Sequence, residues 1–192
     1  DGKQGAALGR PLWLAMALLW LVGAPLALKR GLDAWAKLPS GLRLLLGTWI
    51  LSAAWLALLQ LRLIGMNTLL SCMVLVWVAD TGAYAAGKKF GKTKLAPSIS
   101  PGKSWQGVAG GAIAVAALAA LWLWLDRYAL ESKSVYTLLK DQWGYGPMAG
   151  GVALLLGMSV VGDLFESLMK RVAGMKDSSN LLPGHGGVNH LI

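Results

Sequence analysis

Five long apolar stretches dominate this chain, at approximately Pro11–Leu28, Leu42–Ile64, Asn67–Ala86, Trp105–Leu125 and Pro147–Met169. A helix needs roughly 20 such residues to cross the hydrocarbon core of a bilayer. Backbone immersed in lipid must satisfy its own hydrogen bonds, so each stretch is expected to be helical. The expected fold is therefore all-α and polytopic: a single membrane-embedded domain over residues 1–192 with about five membrane-spanning helices. Only 14% of the residues are charged and 56% are hydrophobic, whereas a soluble domain carries about 25% charged residues. So few charges cannot coat a water-soluble globule.

Details within the stretches refine that expectation. The first is short and holds Gly23 and Pro25, which favour a kink or tilt. Arg43 and Arg62 stand near the two ends of the second, placed to snorkel. Trp13, Trp105 and Trp143 lie near span ends, as interfacial anchors do. Gly107, Gly110 and Gly111 open the fourth span and would let a neighbouring helix approach closely. Cys72, the single cysteine, sits in an apolar run and reads as a small buried hydrophobe. No fixed-period repeat is present. The first apolar run lacks a small-residue cleavage site, so no cleavable signal peptide is expected. The start at Asp1, without methionine, is compatible with a fragment.

Charge is lopsided, with 18 Lys+Arg against 9 Asp+Glu. In a soluble protein such an excess would suggest nucleic acid. In a membrane protein it reflects loops that face anionic lipid and hold topology, so no nucleic-acid partner is expected. Alternate crossings place Lys29, Arg30, Lys37, Arg43, Lys88, Lys89, Lys92, Lys94, Lys103, Lys170, Arg171 and Lys176 on one side. Lys3, Arg10, Arg62, Arg127, Lys133 and Lys140 fall on the other. The positive-inside rule makes the richer side cytoplasmic and leaves the amino-terminal end outside.

Three acids fall inside apolar helices: Asp80, Asp163 and Glu166. A charge there costs about 2.5–3.5 kcal/mol on insertion scales, so each needs a partner or a wet cavity. Asp163, Glu166, Ser167 and Lys170 share a helical face. Two carboxylates a turn apart can chelate a hard cation or neutralise Lys170, and for Asp163 both roles stay open. Asp80 and Asp163 lie toward the same end of their helices and could meet in one cavity. The loop KLAPSISPGKSWQG carries Ser98, Ser100, Lys103 and Ser104 ahead of span four, a set suited to phosphate oxygens. Its Gly-Lys-Ser lacks the upstream glycine of a P-loop. The lysines between Lys88 and Lys94 equally serve topology and lipid headgroups. Past span five, Asp177 adds a carboxylate, and His185 lies among glycines in a loop, open to either a structural or a functional role.

Together these strings resemble the phosphatidate cytidylyltransferases, or CDP-diacylglycerol synthases. The stretch SLMKRVAGMKDSSNLLPGHGGV, Ser167 to Val188, matches the family signature, and ADTGAYAAGKKFGK and SPGKSWQG match two further blocks in order. The family is all-helical, membrane-embedded and magnesium-dependent, and makes CDP-diacylglycerol and pyrophosphate from CTP and phosphatidate. The resemblance implies Asp80, Asp163 and Asp177 as ligands of Mg2+, with Asp163, Lys170, Arg171, Asp177 and His185 as catalytic residues. Ser100, Lys103, Ser104 and Lys176 would bind substrate. Expected partners are CTP, phosphatidate and membrane lipid, with a homodimer allowed. The expected location is the inner (cytoplasmic) membrane, multi-pass, with the active site on the cytoplasmic side.

Two departures stand out. Gln106 occupies a position where many relatives carry Glu. After Val188 the family continues with Leu-Asp-Arg, an apolar residue and Asp, whereas this chain reads Asn189, His190, Leu191, Ile192. The altered tail allows a catalytically impaired lipid-binding homologue, and the other rival functions are a CTP-dependent lipid kinase, which would share the substrates, and a cation transporter with Asp80, Asp163 and Glu166 as its path.

Overall fold

The structure is a computed structural model that describes residues 11–128 and 132–174. Among them are five helices long and apolar enough to cross a membrane. These are α1 (Pro11–Ala36), α2 (Ser40–Ile64), α3 (Met66–Phe90), α4 (Trp105–Leu125) and α6 (Tyr145–Val172). A short α5 (Val135–Trp143) precedes α6. Strands β1 (Lys94–Ala96) and β2 (Ser100–Ser104) form an antiparallel hairpin between α3 and α4.

Most helices outrun their apolar stretches because charged and polar residues extend them past the hydrocarbon. The last turn of α3 carries Lys88 and Lys89, where cations complement the carboxyl-terminal end of the helix dipole. Helix α1 is irregular, as its glycine and proline foretell. Leu19–Gly23 form a π turn in which the Ala24 amide donates to the Leu19 carbonyl. The ring of Pro25 would crowd the carbonyl four residues back, and the widened turn gives it room. Gly31, at φ 73°, breaks the helix line in a conformation suited to glycine.

Helices α3 and α4 form the tightest seam. A Cβ placed on Gly107 would stand 2.8 Å from the Ala83 carbonyl oxygen, and one on Gly111 would stand 2.8 Å from that of Ala79. One on Gly110 would collide with the Ala86 side chain. The glycines thus permit backbone-to-backbone contact, the usual way helices associate where no hydrophobic drive separates lipid from protein. Beside this seam Leu75, Ala79, Val115, Ala119, Tyr136 and Val152 make the buried core. Helix α2 is covered along one narrow stripe, with Leu44, Leu51, Trp55 and Leu63 outside it and exposed.

The end where α2 meets α3 is closed by a polar network. Asp126, just past α4, accepts from Asn67 Nδ2 at 2.8 Å, the Ser134 amide at 3.0 Å and the Ser134 and Thr137 hydroxyls, each at 2.5 Å. Asn67 Oδ1 accepts from Trp122 Nε1 at 2.8 Å. Ser134 also caps α5, accepting from the Thr137 amide. Burial by itself would raise the Asp126 pKa, but the donors from Ser134, Thr137 and Asn67 together hold the carboxyl below its ordinary value.

Candidate active site

The opposite end gathers the basic residues. The end of α1, the α3–α4 hairpin and the end of α6 converge there. Trp35 stacks edge-on against Phe165 with ring centroids 5.3 Å apart, and Lys103 of β2 forms an ion pair with Asp163 of α6. Asp80, exposed on α3, lies within charge range of both Asp163 and Lys103. Two acids from separate membrane helices therefore lie at the same rim, with a lysine from the intervening hairpin paired to one of them.

The segment before α4 is a hairpin rather than a plain loop. Pro101 cannot donate to a ladder, and the pairing is irregular between Lys94 and Ala96, as expected where proline enters a short strand. Ile99 is buried and pins the turn. The Trp105 amide donates to the Thr93 carbonyl at 3.0 Å, closing the base. This closure sets Lys103 toward α6.

The remaining candidates divide. Ser104 is buried, and its hydroxyl caps α4 by accepting from the Gly107 amide at 3.2 Å. Its oxygen is thus engaged within the fold. Ser100 is half-buried in β2. Lys170 pairs with Glu166 one turn earlier at 2.9 Å, leaving Asp163 to Lys103. Arg171 is half-buried near the end of α6. Lys176, Asp177 and His185 lie outside the described residues. Lys88, Lys89, Lys92 and Lys94 are exposed along the same rim.

Gln106 does more than its sequence position suggests. Its Oε1 accepts from the Lys92 and Thr93 amides at 3.2 and 3.1 Å, and its Nε2 donates to the Thr93 hydroxyl at 3.3 Å. It ties the start of the hairpin to the first turn of α4. The acceptor work could be done equally by Glu, which explains why either residue fits, but only the amide can donate to Thr93.

The donor chemistry suits a hard divalent cation. Among the described residues no cluster of three or more His, Cys, Asp or Glu could hold a metal. Magnesium does not require one, since it is commonly held by one or two carboxylates, with waters and substrate phosphates completing its shell. Asp80 and Asp163 supply such a pair.

The chain is thus a bundle of membrane-length helices with two acids and a lysine-bearing hairpin at one rim. A model of the cytidylyltransferase family matches residues 3–189, and the chain belongs to that family. It is 42% identical over 177 residues to a phosphatidate cytidylyltransferase of Pseudomonas aeruginosa, an alignment covering 92% of this chain and 59% of the relative. It is 42% identical over 184 residues to one of Haemophilus influenzae, with the same coverage of each. A Bacillus subtilis relative of the same name is 38% identical over 125 residues, covering 65% of this chain and 41% of that protein. The chain thus spans about three fifths of the length of the first two. No solved structure matches it.

Proposed function

We propose that the basic rim is the cytidylyl-transfer site of a phosphatidate cytidylyltransferase, which converts CTP and phosphatidate to CDP-diacylglycerol and pyrophosphate. The juxtaposition of Asp80, Lys103 and Asp163 carries the proposal. A phosphate oxygen of phosphatidate attacks the α-phosphorus of CTP. The bond to the β-phosphate bridging oxygen breaks, and pyrophosphate leaves with the electron pair. The attacking group is already an anion, so no protein nucleophile is required. The protein's task is to hold two polyanions together.

Lys103 would bind phosphate oxygens once released from Asp163, and the lysines from Lys88 to Lys94 would raise the local concentration of both anions. Asp80 and Asp163 would hold Mg2+, which supplies charge neutralisation at the triphosphate. Lys170, Arg171, Lys176, Asp177 and His185, which end α6 or follow it in sequence, would complete the phosphate and cation contacts. The excess of Lys and Arg at this rim supports a cytoplasmic face of the inner membrane.

Incubation of the purified chain with labelled CTP, phosphatidate and magnesium tests the proposal. CDP-lipid with stoichiometric pyrophosphate is expected. Release of CDP with a phosphorylated lipid would instead mean a CTP-dependent lipid kinase. Neither product, together with cation flux in liposomes, would replace enzymatic transfer by transport.

A further inference from the structure

Between α1, α2 and α6 lies an apolar cleft that the chemistry of nucleotide transfer does not use. Trp20, Gly23 and Ala27 of α1, Leu46 and Ile50 of α2, and Phe165 of α6 line it. Its volume is about 60 Å³, far below the roughly 300–1,000 Å³ of a pocket for a whole small molecule. It suits a stretch of hydrocarbon. The π turn at Leu19–Gly23 forms part of its wall, and Phe165, packed edge-on against Trp20 and Trp35, forms its α6 side.

Arg43 marks the rim of this cleft. The covered stripe of α2 runs through Arg43, Leu46, Gly47, Ile50 and Ala53, at the three- and four-residue spacing of one helix face. Leu46 and Ile50 line the cleft, so Arg43 stands on the same stripe one turn nearer the basic rim. Its Nε is buried and, among the described residues, finds no acceptor. A buried guanidinium N–H without a partner is rare in a folded protein, and its planar fork matches phosphate oxygens. Trp35 at the end of α1 also lines the cleft and packs on Phe165, so an aromatic wall adjoins the basic rim.

We infer that the α1–α2–α6 cleft seats an acyl chain of the phosphatidate substrate while Arg43 holds the phosphate of that same lipid. The inference rests on the cytidylyl-transfer reading only for the identity of the lipid. An aliphatic chain in the cleft and a phosphate at Arg43 would hold the lipid phosphate at the end of the bundle where α1 and α2 meet, the end that also carries the basic rim. Arg43 is thus a substrate-binding residue on a helix that contributes nothing to the acidic pair.

Binding can be read without CTP or magnesium, through quenching of tryptophan fluorescence by phosphatidate brominated on its acyl chain. Quenching should exceed that by equally brominated phosphatidylcholine, and replacing both Trp20 and Trp35 by Phe should remove most of the excess. Arg43→Gln should raise the half-saturating phosphatidate concentration about tenfold or more, with Arg43→Lys intermediate, and Ala27→Trp should abolish the excess by filling the cleft. Glycerol 3-phosphate, which has the phosphate without the chains, should not displace the brominated lipid. Equal quenching by both lipids, an unchanged Arg43→Gln titration in protein with wild-type circular dichroism, or displacement by glycerol 3-phosphate would overturn the assignment. In turnover assays Arg43→Gln should raise KM for phosphatidate and leave KM for CTP unchanged. Selective binding without CDP-lipid formation would sink the transfer reading alone. Transfer with unaltered phosphatidate KM in Arg43→Gln would sink this inference alone.

Discussion

Asp126 and Asp163 sit at opposite ends of one bundle, and their surroundings differ in kind. Asp126 accepts four hydrogen bonds from Asn67, Ser134 and Thr137, all from neutral donors. Asp163 is 45% exposed at its side chain and meets a single lysine that arrives on a hairpin. The first acid is satisfied by donors that belong to the fold itself. The second is held by one ion pair that a phosphate or a cation can replace. Burial of a carboxylate is therefore a poor guide to function in this chain. What distinguishes the two is whether its partners are fixed by the backbone around it or brought in on a long side chain.

The contrast can be broken by exchanging the outcomes. Asp163→Asn should lower CDP-lipid formation by roughly 100-fold or more while leaving the melting temperature in detergent nearly unchanged. Full activity in that variant would remove Asp163 from the site. Asp126→Ala should do the reverse, costing about 3 kcal/mol because several buried donors lose one acceptor, with activity per folded molecule retained. A mutant that melts normally but fails to turn over would show that the network reaches the site.

Acid should act on the same end. The Asp126 carboxyl titrates below its ordinary value in the folded protein, so it adds stability above the unfolded value of about 3.9. That stability is lost as pH falls through the lower folded value. The free energy of unfolding should therefore fall less steeply with pH below about 4 in Asp126→Asn than in the parent, and equal slopes would mean the carboxylate is not the group involved.

Smaller effects sharpen the comparison. Gln106→Ala should cost about 1 kcal/mol by freeing the Lys92 and Thr93 amides, and should raise KM for CTP more than it lowers kcat. Gln106→Glu should keep most of the stability, since both amides retain an acceptor. The smallest change is expected of Tyr136→Phe. The Tyr136 hydroxyl is buried without a partner among the described residues, and burial pushes its pKa up to about 12. Removing it should leave stability unchanged or slightly higher, and a clear loss would reveal an acceptor for that hydroxyl.

Hydropathy makes the five helices legible in the sequence, because lipid imposes a length and a helical backbone on any apolar run that crosses it. The glycines of α4 are legible for a similar reason: three small residues within five positions of a span have few other uses. Helix ends are less so, since Lys88 and Lys89 interrupt the apolar pattern without interrupting the helix. Asp80 and Asp163 stand out by their cost in a membrane. Lys103 stands out in its Gly-Lys-Ser loop, but its pairing with Asp163 does not, because 60 residues separate the two. The role of Asp126 is invisible for the same reason, as it depends on Asn67, 59 positions away. Helix periodicity has no means of joining such positions.

The glycine seam between α3 and α4 has a mechanical consequence. Asp80 belongs to one member of that pair, and Lys103 belongs to the strap that links the two. With carbonyl oxygens already at the limit of approach to Gly107 and Gly111, neither helix can roll or slide inward against the other. Asp80 and the root of the strap are thus set in one rigid wall. Any change in the separation of Asp80 from Asp163 must then come from α6, across the ion pair with Lys103.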